Sequence, residues 1–481
     1  TVAELRSALD NAAASLEMKS VAVLPFTLLG ARRESEYFGE GLADDIITAL
    51  SGVAGLKVIA RTSSFAFRNR SMDARAIAAA LGVNHILEGS VRMAGNRIRV
   101  NAQLISAQSS AQVWSKRYDR DLVDVFEIQD EIANGIAAEL KVSLTHQELV
   151  KAPTLHFAAY EAVLKGNHHF LRFDPADQVK AQACFERALE IDPNYAAAHV
   201  GMALYHVGQA VVGIANPRQE MAISANYARE ALRLDPRNSE GHHILGSYYA
   251  LHDFDWNQAG YHFERALELN PNSQWAYHCK TIYMLAPMGR SQEAVECETR
   301  ALALDPLSFP ILAQLALALE CVGDLEGAEK FLERIHQIDP NFTAGQWMLA
   351  RLRGIQGRVD EAVEIAERLV ATAGRWGMTL GTLGTAYAVA GRMNDAQKVL
   401  EELALEHNRE ARAFYSFLTT SAMGDLDAAF HWATLSLERR DSLMVSFVWS
   451  TSSDALRKDQ RFAGILRLLN LPHLAAEWQV V

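Results

Sequence analysis

The stretch LGSYYALHDFDWNQAGYHFERALELNP, residues 245–271, decides the fold of most of this chain. Its small and apolar residues recur at helical spacing in two blocks, Leu245, Gly246 and Tyr249 followed by Ala259, Phe263 and Ala266. Pro271 fixes φ and cannot continue a helix. The stretch therefore predicts two short helices that end at this proline.

The same unit recurs along the chain. Prolines follow an Asp or Asn in steps of 43, 35, 35 and 34 residues, at Pro193, Pro236, Pro271, Pro306 and Pro340. Beyond Pro340 the prolines stop, but packing positions such as Leu383 and Gly384 persist. A repeat of about 34 residues is the length of one helical hairpin. Because one hairpin cannot bury its apolar face alone, the spacing predicts a stacked all-α solenoid.

This pattern resembles the tetratricopeptide repeat. We expect about eight helical pairs within residues 150–445, preceded by a small α/β domain and followed by capping helices in residues 446–481. The resemblance implies a binding surface for a protein or peptide rather than an active site.

In this repeat class, fixed positions of each first helix line a concave groove. Here they hold His243, Ser247, Trp275, His278, Ile282, Trp347, Arg351 and Phe414. Aromatic and Arg side chains are frequent anchors of protein interfaces. The alternative is that the tryptophans pack between hairpins. Chaperone-binding relatives hold a C-terminal carboxylate with Lys and Asn, which are not matched here, so we do not expect that ligand.

Residues 20–145 alternate short apolar runs with amphipathic helices, which predicts a small α/β domain. We expect strands at residues 20–26, 56–60, 83–93, 97–105 and 112–118, and helices at residues 37–50, 74–81 and 125–144. Asp121, with Asp124 three residues later, predicts a capped start for the last helix. Residues 1–19 are expected to form an amphipathic helix or a linker.

A second resemblance rests on SVAVLPF (20–26), EYFGEGLADDIITAL (36–50) and LGVNHILEGSVRMAGNRIRVNAQLI (81–105). These segments resemble the TolB-like N-terminal domain of bacterial regulators, which precedes tetratricopeptide repeats in that family. The ending DALRKDQRFAGILRLLNLP (454–472) is similar to the same family. The resemblance implies an accessory region behind a class III nucleotide cyclase or a winged-helix DNA-binding domain. The chain starts at Thr1 rather than Met, so we expect an upstream segment.

A basic group falls where a strand ends and a helix would begin: Arg61, Thr62, Ser63, Arg68 and Arg70. Free backbone N–H groups and cations at such a place predict an anion site. The alternative is a capped helix with solvated arginines.

Charge and composition exclude several classes of function. Residues 1–145 hold 16 Lys and Arg against 17 Asp and Glu, which leaves 30 against 41 in the rest of the chain. That acidic array argues against direct nucleic-acid binding. No apolar run approaches the roughly 20 residues of a membrane span. Four cysteines without CxxC spacing, and the absence of an export signal, predict a cytoplasmic protein.

The sequence gives little support for a catalytic or metal site. Asp44-Asp45 and the group Asp119, Asp121 and Asp124 are expected on solvated helix faces and at helix caps. His168-His169 and His242-His243 are adjacent pairs whose side chains diverge on a helix, so they do not predict a metal site. We therefore expect no catalytic residue, metal or cofactor.

The sequence predicts a non-enzymatic regulatory scaffold that binds a protein or peptide partner in the groove. The alternative is the C-terminal regulatory part of a class III adenylate/guanylate cyclase whose catalytic domain is absent from this chain. A nucleotide cyclase or a DNA-binding output domain is one candidate for the partner.

Overall fold

The computed structural model describes residues 19–30, 36–68, 72–142, 154, 156–172, 175–211, 215–405 and 412–477. Almost all of the helix or linker predicted for residues 1–19 lies outside the described residues, and so does Arg70 of the predicted anion site. The described residues form an α/β domain followed by a long helical array, as the sequence predicts.

The α/β domain is built on one sheet. Its strands are β1 (Lys19–Val23), β2 (Thr27–Leu28), β3 (Leu56–Val58), β4 (His85–Ala94), β5 (Arg97–Ser106) and β6 (Gln112–Asp121). Its helices are α1 (Glu36–Ser51), α2 (Arg61–Phe65), α3 (Ala74–Leu81) and α4 (Val125–Glu139). The strand order is β3-β1-β4-β5-β6, with β2 paired to β4. Strand β1 runs parallel to β3 and β4, whereas β4, β5 and β6 are antiparallel.

Alternation along the strands gives the sheet two apolar faces. Val21 and Val23 face the core that contains α1 and α4, while Ala22 and Leu24 face α3 on the other side. Gly82 ends α3 with φ of 63°, a left-handed conformation that favours glycine.

A 3₁₀ turn, Leu122–Asp124, begins directly after Asp121 and leads into α4, as predicted, but the expected side-chain cap is absent. Neither Asp121 nor Asp124 accepts a side-chain capping hydrogen bond. The Asp121 carboxylate instead lies 3.4 Å from Arg97 Nη1 on the neighbouring strand. The sequence pattern could not show this partner, because the β5–β6 register brings the two residues opposite each other.

The described part of the array holds eight antiparallel helical pairs. They are α5 (Phe157–Phe170) with α6 (Pro175–Ile191), α7 (Ala196–Val211) with α8 (Pro217–Leu234), α9 (Ser239–Tyr248) with α10 (Trp256–Leu269), α11 (Gln274–Lys280) with α12 (Ser291–Leu304), α13 (Phe309–Cys321) with α14 (Leu325–Ile338), α15 (Thr343–Ile355) with α16 (Val359–Ala373), α17 (Gly377–Val389) with α18 (Met393–Leu405), and α19 (Arg412–Met423) with α20 (Leu426–Glu438). Short π-helical turns, Tyr249–Asp253 and Thr281–Leu285, extend α9 and α11. Within the described residues, no helix is both long and apolar enough to span a bilayer.

Small residues let the paired helices approach closely. Ala259, Phe263 and Ala266 are fully buried, and a side chain at Gly246 would lie only 2.9 Å from the Phe263 ring. At four of the five repeat prolines, the residue before the proline also stabilises the turn. The side chains of Asp192, Asp235, Asn270 and Asp339 each accept the backbone N–H two residues later. This turn explains why Asp or Asn precedes the proline.

The last described part of the chain is residues 442–477, which we call the C-terminal segment. It contains α21 (Ser442–Phe447), α22 (Asp454–Arg457), α23 (Phe462–Leu468) and α24 (Leu474–Glu477). Its apolar side chains, including Phe447, Trp449 and Leu469, are buried in the main core of the array. The segment is therefore packed against several repeats and not only against the last pair.

Candidate functional site

Three residues of the predicted groove surround one ring of the C-terminal segment. The Trp347 ring stacks on Phe447 with centroids 5.4 Å apart, and Phe414 meets the same ring edge-on at 5.1 Å. The Arg351 guanidinium lies 5.2 Å from the Phe447 centroid. Aromatic pairs and a cation over a ring each add attraction beyond apolar burial. The three side chains together hold Phe447.

A buried ion pair fixes the next part of the segment. Arg351 makes a bidentate contact with Glu320, with Nη1 2.9 Å from Oε1, and the two side chains are only 5% and 2% exposed. Glu320 also accepts a hydrogen bond from the Thr451 hydroxyl at 2.6 Å. The sequence holds a signal for this site, because a carboxylate inside the apolar helix α13 needs a buried partner.

The C-terminal segment also contacts the fourth helical pair, through hydrogen bonds to backbone carbonyls. The Ser446 hydroxyl donates to the Ile282 carbonyl at 3.2 Å, and the Trp449 indole N–H donates to the Pro287 carbonyl. Ile282, another predicted groove residue, therefore contacts the segment through its main chain. Sequence reasoning missed both Phe447 and Trp449, which were predicted to cap the array.

His243, Ser247 and His278 are buried inside the array. Burial lowers the pKa of His243 to about 4. The Ser247 hydroxyl donates to the His243 carbonyl, and His278 Nδ1 lies 2.7 Å from Glu298 Oε1. These three side chains do not form an open surface in this structure.

Trp275 meets the predicted anion group. A cavity of about 300 Å³ between the α/β domain and the array is lined by Arg61, Thr62, Arg68 and Trp275. Arg61 and Arg68 both pair with Glu40, and Arg61 also lies 2.7 Å from Asp44. The cavity thus contains cations whose charge is already matched by carboxylates.

Glu40 is the centre of that ion-pair network. Burial alone would raise the pKa of its carboxyl, but a hydrogen bond from His168 and the charges of Arg68 and Arg61 outweigh burial, so the pKa is lowered. His168 belongs to α5, with Nδ1 3.1 Å from Glu40 Oε2. The network therefore joins the α/β domain to the first pair of the array.

At the start of α2, where the sequence predicts free N–H groups, the backbone N–H of Ser63 already has a partner. The backbone N–H of Ser63 donates to Asp305 Oδ1 at 3.1 Å, and its hydroxyl donates to the same oxygen. Leu307 N–H donates to Ser63 Oγ at 2.9 Å, the bond that other corners make to their own Asp or Asn. Ser63 therefore completes the turn of the fourth corner, where the α/β domain inserts into the array.

A second corner covers the open edge of the sheet. The side chain of Asn272 accepts Val58 N–H at 3.1 Å and donates to the carbonyls of Ser51 and Leu56, both at 2.9 Å. Strand β3 lies at the sheet edge, where unpaired backbone groups need partners. Asn272 is the hydrogen-bond partner of the Val58 N–H and the Leu56 carbonyl on this edge strand.

The acidic pair of α1 is not on a solvated face, contrary to the sequence prediction. Asp45 accepts hydrogen bonds from Tyr160 Oη at 2.5 Å and Gln129 Nε2 at 2.7 Å. Desolvation raises the pKa of Asp45 to about 7, with a further contribution from the charge of Asp44. Both acids lie at the contact between the α/β domain and the array.

Metal-ligating side chains do not gather in threes anywhere in the described residues. His242 Nδ1 lies 3.0 Å from His262 Nδ1, but no third ligand accompanies this pair among those residues. His262, the partner of His242, lies on α10, so the adjacent pair His242-His243 in the sequence did not predict this contact.

Comparison with known families finds one model, described as "HilA/YgeH-like transcriptional regulator, second domain", which matches residues 17–135. A TolB-like identity for this domain stays a prediction. Among curated relatives, "Putative adenylate cyclase 3" of Rhizobium meliloti (strain 1021) is 38% identical over 231 residues, which cover 47% of this chain and 39% of the relative. "Superkiller complex protein 3" of Mus musculus is 22% identical over 330 residues, covering 61% of this chain and 19% of the relative. The chain thus matches well under half of the length of these relatives.

Solved structures give similarities at lower sequence identity. A tetratricopeptide repeat protein from Parabacteroides merdae is 14% identical, with a TM-score of 0.39, and the match covers 54% of this chain and 98% of that chain. The hetero-tetramer Cut9-Hcn1 of the APC/C gives 16% identity and a TM-score of 0.42, and the match covers 68% of this chain and 60% of that chain. By its own architecture, the chain is a tetratricopeptide-type helical solenoid with an N-terminal α/β domain.

Proposed function

We propose that the chain is a non-catalytic regulatory scaffold whose concave surface recognises a polypeptide. One observation supports this most directly: Trp347, Arg351 and Phe414, predicted from sequence as groove residues, surround Phe447 of the C-terminal segment. These three predicted groove residues thus contact a polypeptide segment, which is the chain's own. A partner with a similar aromatic anchor would compete for the same place.

An exchange experiment tests this proposal on the full chain. A protease site inserted after Arg440 allows residues 442–477 to be cut while they stay bound. A labelled peptide of residues 442–477 is then titrated onto the cut protein and followed by fluorescence anisotropy. We expect saturable exchange, weakened at least tenfold by Phe447→Ala in the peptide, because its ring fills the site.

The matched control is Leu468→Ala in the same peptide, since Leu468 is 37% exposed and lies outside the aromatic cluster. That variant should bind like the natural sequence. If the cut protein takes up no labelled peptide, or takes up the Phe447→Ala peptide equally well, the segment is a fixed part of the core and the groove does not recognise polypeptides.

A second candidate function is regulation of an output domain in a longer protein. The observation that favours it is the 38% identity to a relative named as an adenylate cyclase, together with the HilA/YgeH-like match of residues 17–135. On this proposal the α/β domain and the array respond to a partner and change the activity of a cyclase or DNA-binding domain. The array's acidic balance argues against direct contact with nucleic acid.

Joining the chain to an active class III cyclase domain tests this second candidate. The chain alone should make no cyclic nucleotide. If the chain regulates the joined cyclase domain, Ser63→Ala at the contact between the α/β domain and the array should change the cyclase activity of the fusion. The distant Leu468→Ala should leave that activity unchanged. Equal activity in all fusions would contradict it. The four free cysteines fit the reducing cytoplasm in which we place this function.

A further inference from the structure

The cavity between the α/β domain and the array has both charged and apolar walls. The ionisable side chains that line it are Glu40, Arg61, Arg68, His168 and Arg172. Its apolar walls come from Phe65, Leu171, Trp275 and Pro310. At about 300 Å³, it has the volume of a pocket for a small ligand. A molecule held there would meet aromatic surface and charge together.

The accessible charges of this cavity are cationic. The side chains of Arg68 and Arg172 are 37% and 53% exposed, whereas that of Glu40 is 6% exposed. Glu40 is enclosed by its partners Arg61, Arg68 and His168. Further carboxyl groups contact the lining residues without lining the cavity themselves, namely Asp44, Asp177 and Asp305. An entering ligand therefore reaches guanidinium groups more readily than carboxylates.

Arg172 is paired more loosely than the other two arginines of the cavity. Its Nη2 donates to His168 Nε2 at 2.8 Å, and its Nη1 lies 3.6 Å from Asp177 Oδ2. Lys180 lies closer to Asp177, with Nζ 3.0 Å from Oδ1. Because His168 Nε2 accepts from Arg172, the ring is neutral and donates from Nδ1 to Glu40. A guanidinium has five N–H donors, so Arg172 can serve a further acceptor beside these contacts.

Charge and lining together define a class of ligand. The exposed guanidinium groups would repel a cation, and a neutral molecule would gain nothing from their charge. A carboxylate can accept two parallel hydrogen bonds from one guanidinium, and an aromatic ring can pack against Trp275. We propose that this cavity binds a small aromatic carboxylate, with its anionic group on Arg172.

Binding would also join the α/β domain to the array. Arg68 belongs to the α/β domain, Arg172 follows α5, and Trp275 lies on α11. A ligand that contacts both parts of the chain stabilises their docked arrangement by mass action. This inference goes beyond the proposed function, because it requires neither a polypeptide partner nor an output domain.

Benzoate serves as the probe, since it has one ring and one carboxylate. Binding to the full chain at neutral pH is measured by calorimetry and by the Tm. Benzamide is the neutral analogue of the same shape, and acetate is the anion without a ring. We expect one saturable benzoate site per chain, a raised Tm, and at least tenfold weaker binding of both analogues.

Variants of exposed arginines locate the anionic group. Arg172→Gln should weaken benzoate about tenfold, because it removes a charge-assisted hydrogen bond. Arg172→Lys keeps the charge but not the planar fork, so it should recover part of this affinity. Arg187→Gln is the matched control, since Arg187 lies on α6, is 65% exposed and pairs with Glu190 outside the cavity. This control should bind benzoate like the natural protein.

Tryptophan fluorescence locates the ring. Of the eight tryptophans in the chain, Trp275 lines this cavity. Benzoate should therefore change the fluorescence of the natural protein. Trp275→Phe keeps an aromatic wall, so it should still bind benzoate by calorimetry but should lose the fluorescence change.

The proposal is overturned if benzoate does not bind saturably to the full chain, or if benzamide or acetate binds as tightly as benzoate. It is equally overturned if Arg172→Gln binds benzoate as the natural protein does. A fluorescence change that persists in Trp275→Phe would also overturn it, because benzoate would then bind elsewhere.

Discussion

Asp45 is a single side chain whose protonation bears on the whole contact between the α/β domain and the array. Its ordinary pKa is near 4, and desolvation raises it to about 7 in the folded protein. A carboxyl whose pKa is raised on folding stabilises the protein fully at low pH, and this stability is lost as the pH rises through the folded pKa. Asp305, whose pKa burial raises to about 6, acts in the same direction.

We therefore predict that the Tm falls between about pH 4 and pH 7, and that Asp45→Asn makes this fall shallower and raises the Tm at pH 8. Asn stays neutral and can still accept the Tyr160 hydrogen bond. Differential scanning calorimetry across this range measures the effect. Asp44→Asn is the comparison variant: it removes the ion pair with Arg61 and should lower the Tm, but because desolvation is the larger cause of the raised pKa of Asp45, it should flatten the slope less than Asp45→Asn does. An unchanged slope in Asp45→Asn would contradict the assignment.

Asn272 shows why part of the site was not predictable. Asn194 and Asn341 also follow a proline and occupy equivalent corners, so residue type does not distinguish them. Only the folded chain brings Asn272 against β3, where its amide makes two hydrogen bonds to the edge strand and a third to the Ser51 carbonyl at the end of α1. The corner turn was readable from the repeat, whereas its use as a docking point depends on contacts more than 200 residues apart in sequence.

Asn272→Asp tests that role. A carboxylate cannot donate to the Ser51 and Leu56 carbonyls, so we expect a loss of about 2–4 kcal/mol in the free energy of unfolding. Urea unfolding measures the loss, and limited proteolysis should show the α/β domain cut earlier. Asn341→Asp, at an exposed corner, should change stability by less than about 0.5 kcal/mol. Equal effects of the two substitutions would show that Asn272 does not secure the domain.

At the scale of elements, helix α1 was predicted almost to its ends, residues 37–50 against Glu36–Ser51. Hydrophobic periodicity was enough, because α1 buries one face against the sheet. What periodicity cannot show is how closely a helix approaches its neighbours. Gly39 and Gly41 interrupt α1 with residues that are unfavourable inside a helix, which was a readable signal of close packing.

Gly39→Ala measures that approach. A Cβ at Gly39 would lie 2.2 Å from the Phe26 carbonyl oxygen, so α1 or the chain after β1 must move. We expect a loss of about 1–3 kcal/mol in the free energy of unfolding. Urea unfolding monitored by circular dichroism measures this loss. Gly464→Ala in α23 is the control, since nothing lies within 4 Å and a helical Ala should add about 0.5–1 kcal/mol. Stabilisation by both substitutions would refute the close contact.

At the scale of the whole molecule, the α/β domain and the C-terminal segment both pack against the middle of the array. The α/β domain docks on corners of the third and fourth pairs through Asn272 and Ser63. The C-terminal segment runs from the last pair back to the third, where Trp256 Nε1 donates to the Leu469 carbonyl at 2.8 Å and Asn470 donates to the Phe254 carbonyl. The repeat predicts the solenoid from local spacing, but not these long-range contacts, which have no periodic signal in the sequence.

Closure of this kind predicts a large difference between two neighbouring residues. Leu469 is fully buried where the segment meets Trp256, whereas Leu468 is 37% exposed. A carboxylate at position 469 would be desolvated without a partner, so Leu469→Asp should detach the end of the segment and let the solenoid open. We expect a larger radius of gyration in small-angle X-ray scattering and early proteolysis after residue 460. Leu468→Asp should leave both unchanged. If Leu469→Asp stays folded at the natural radius of gyration, the segment does not hold the array closed, and the helical pairs alone set its shape.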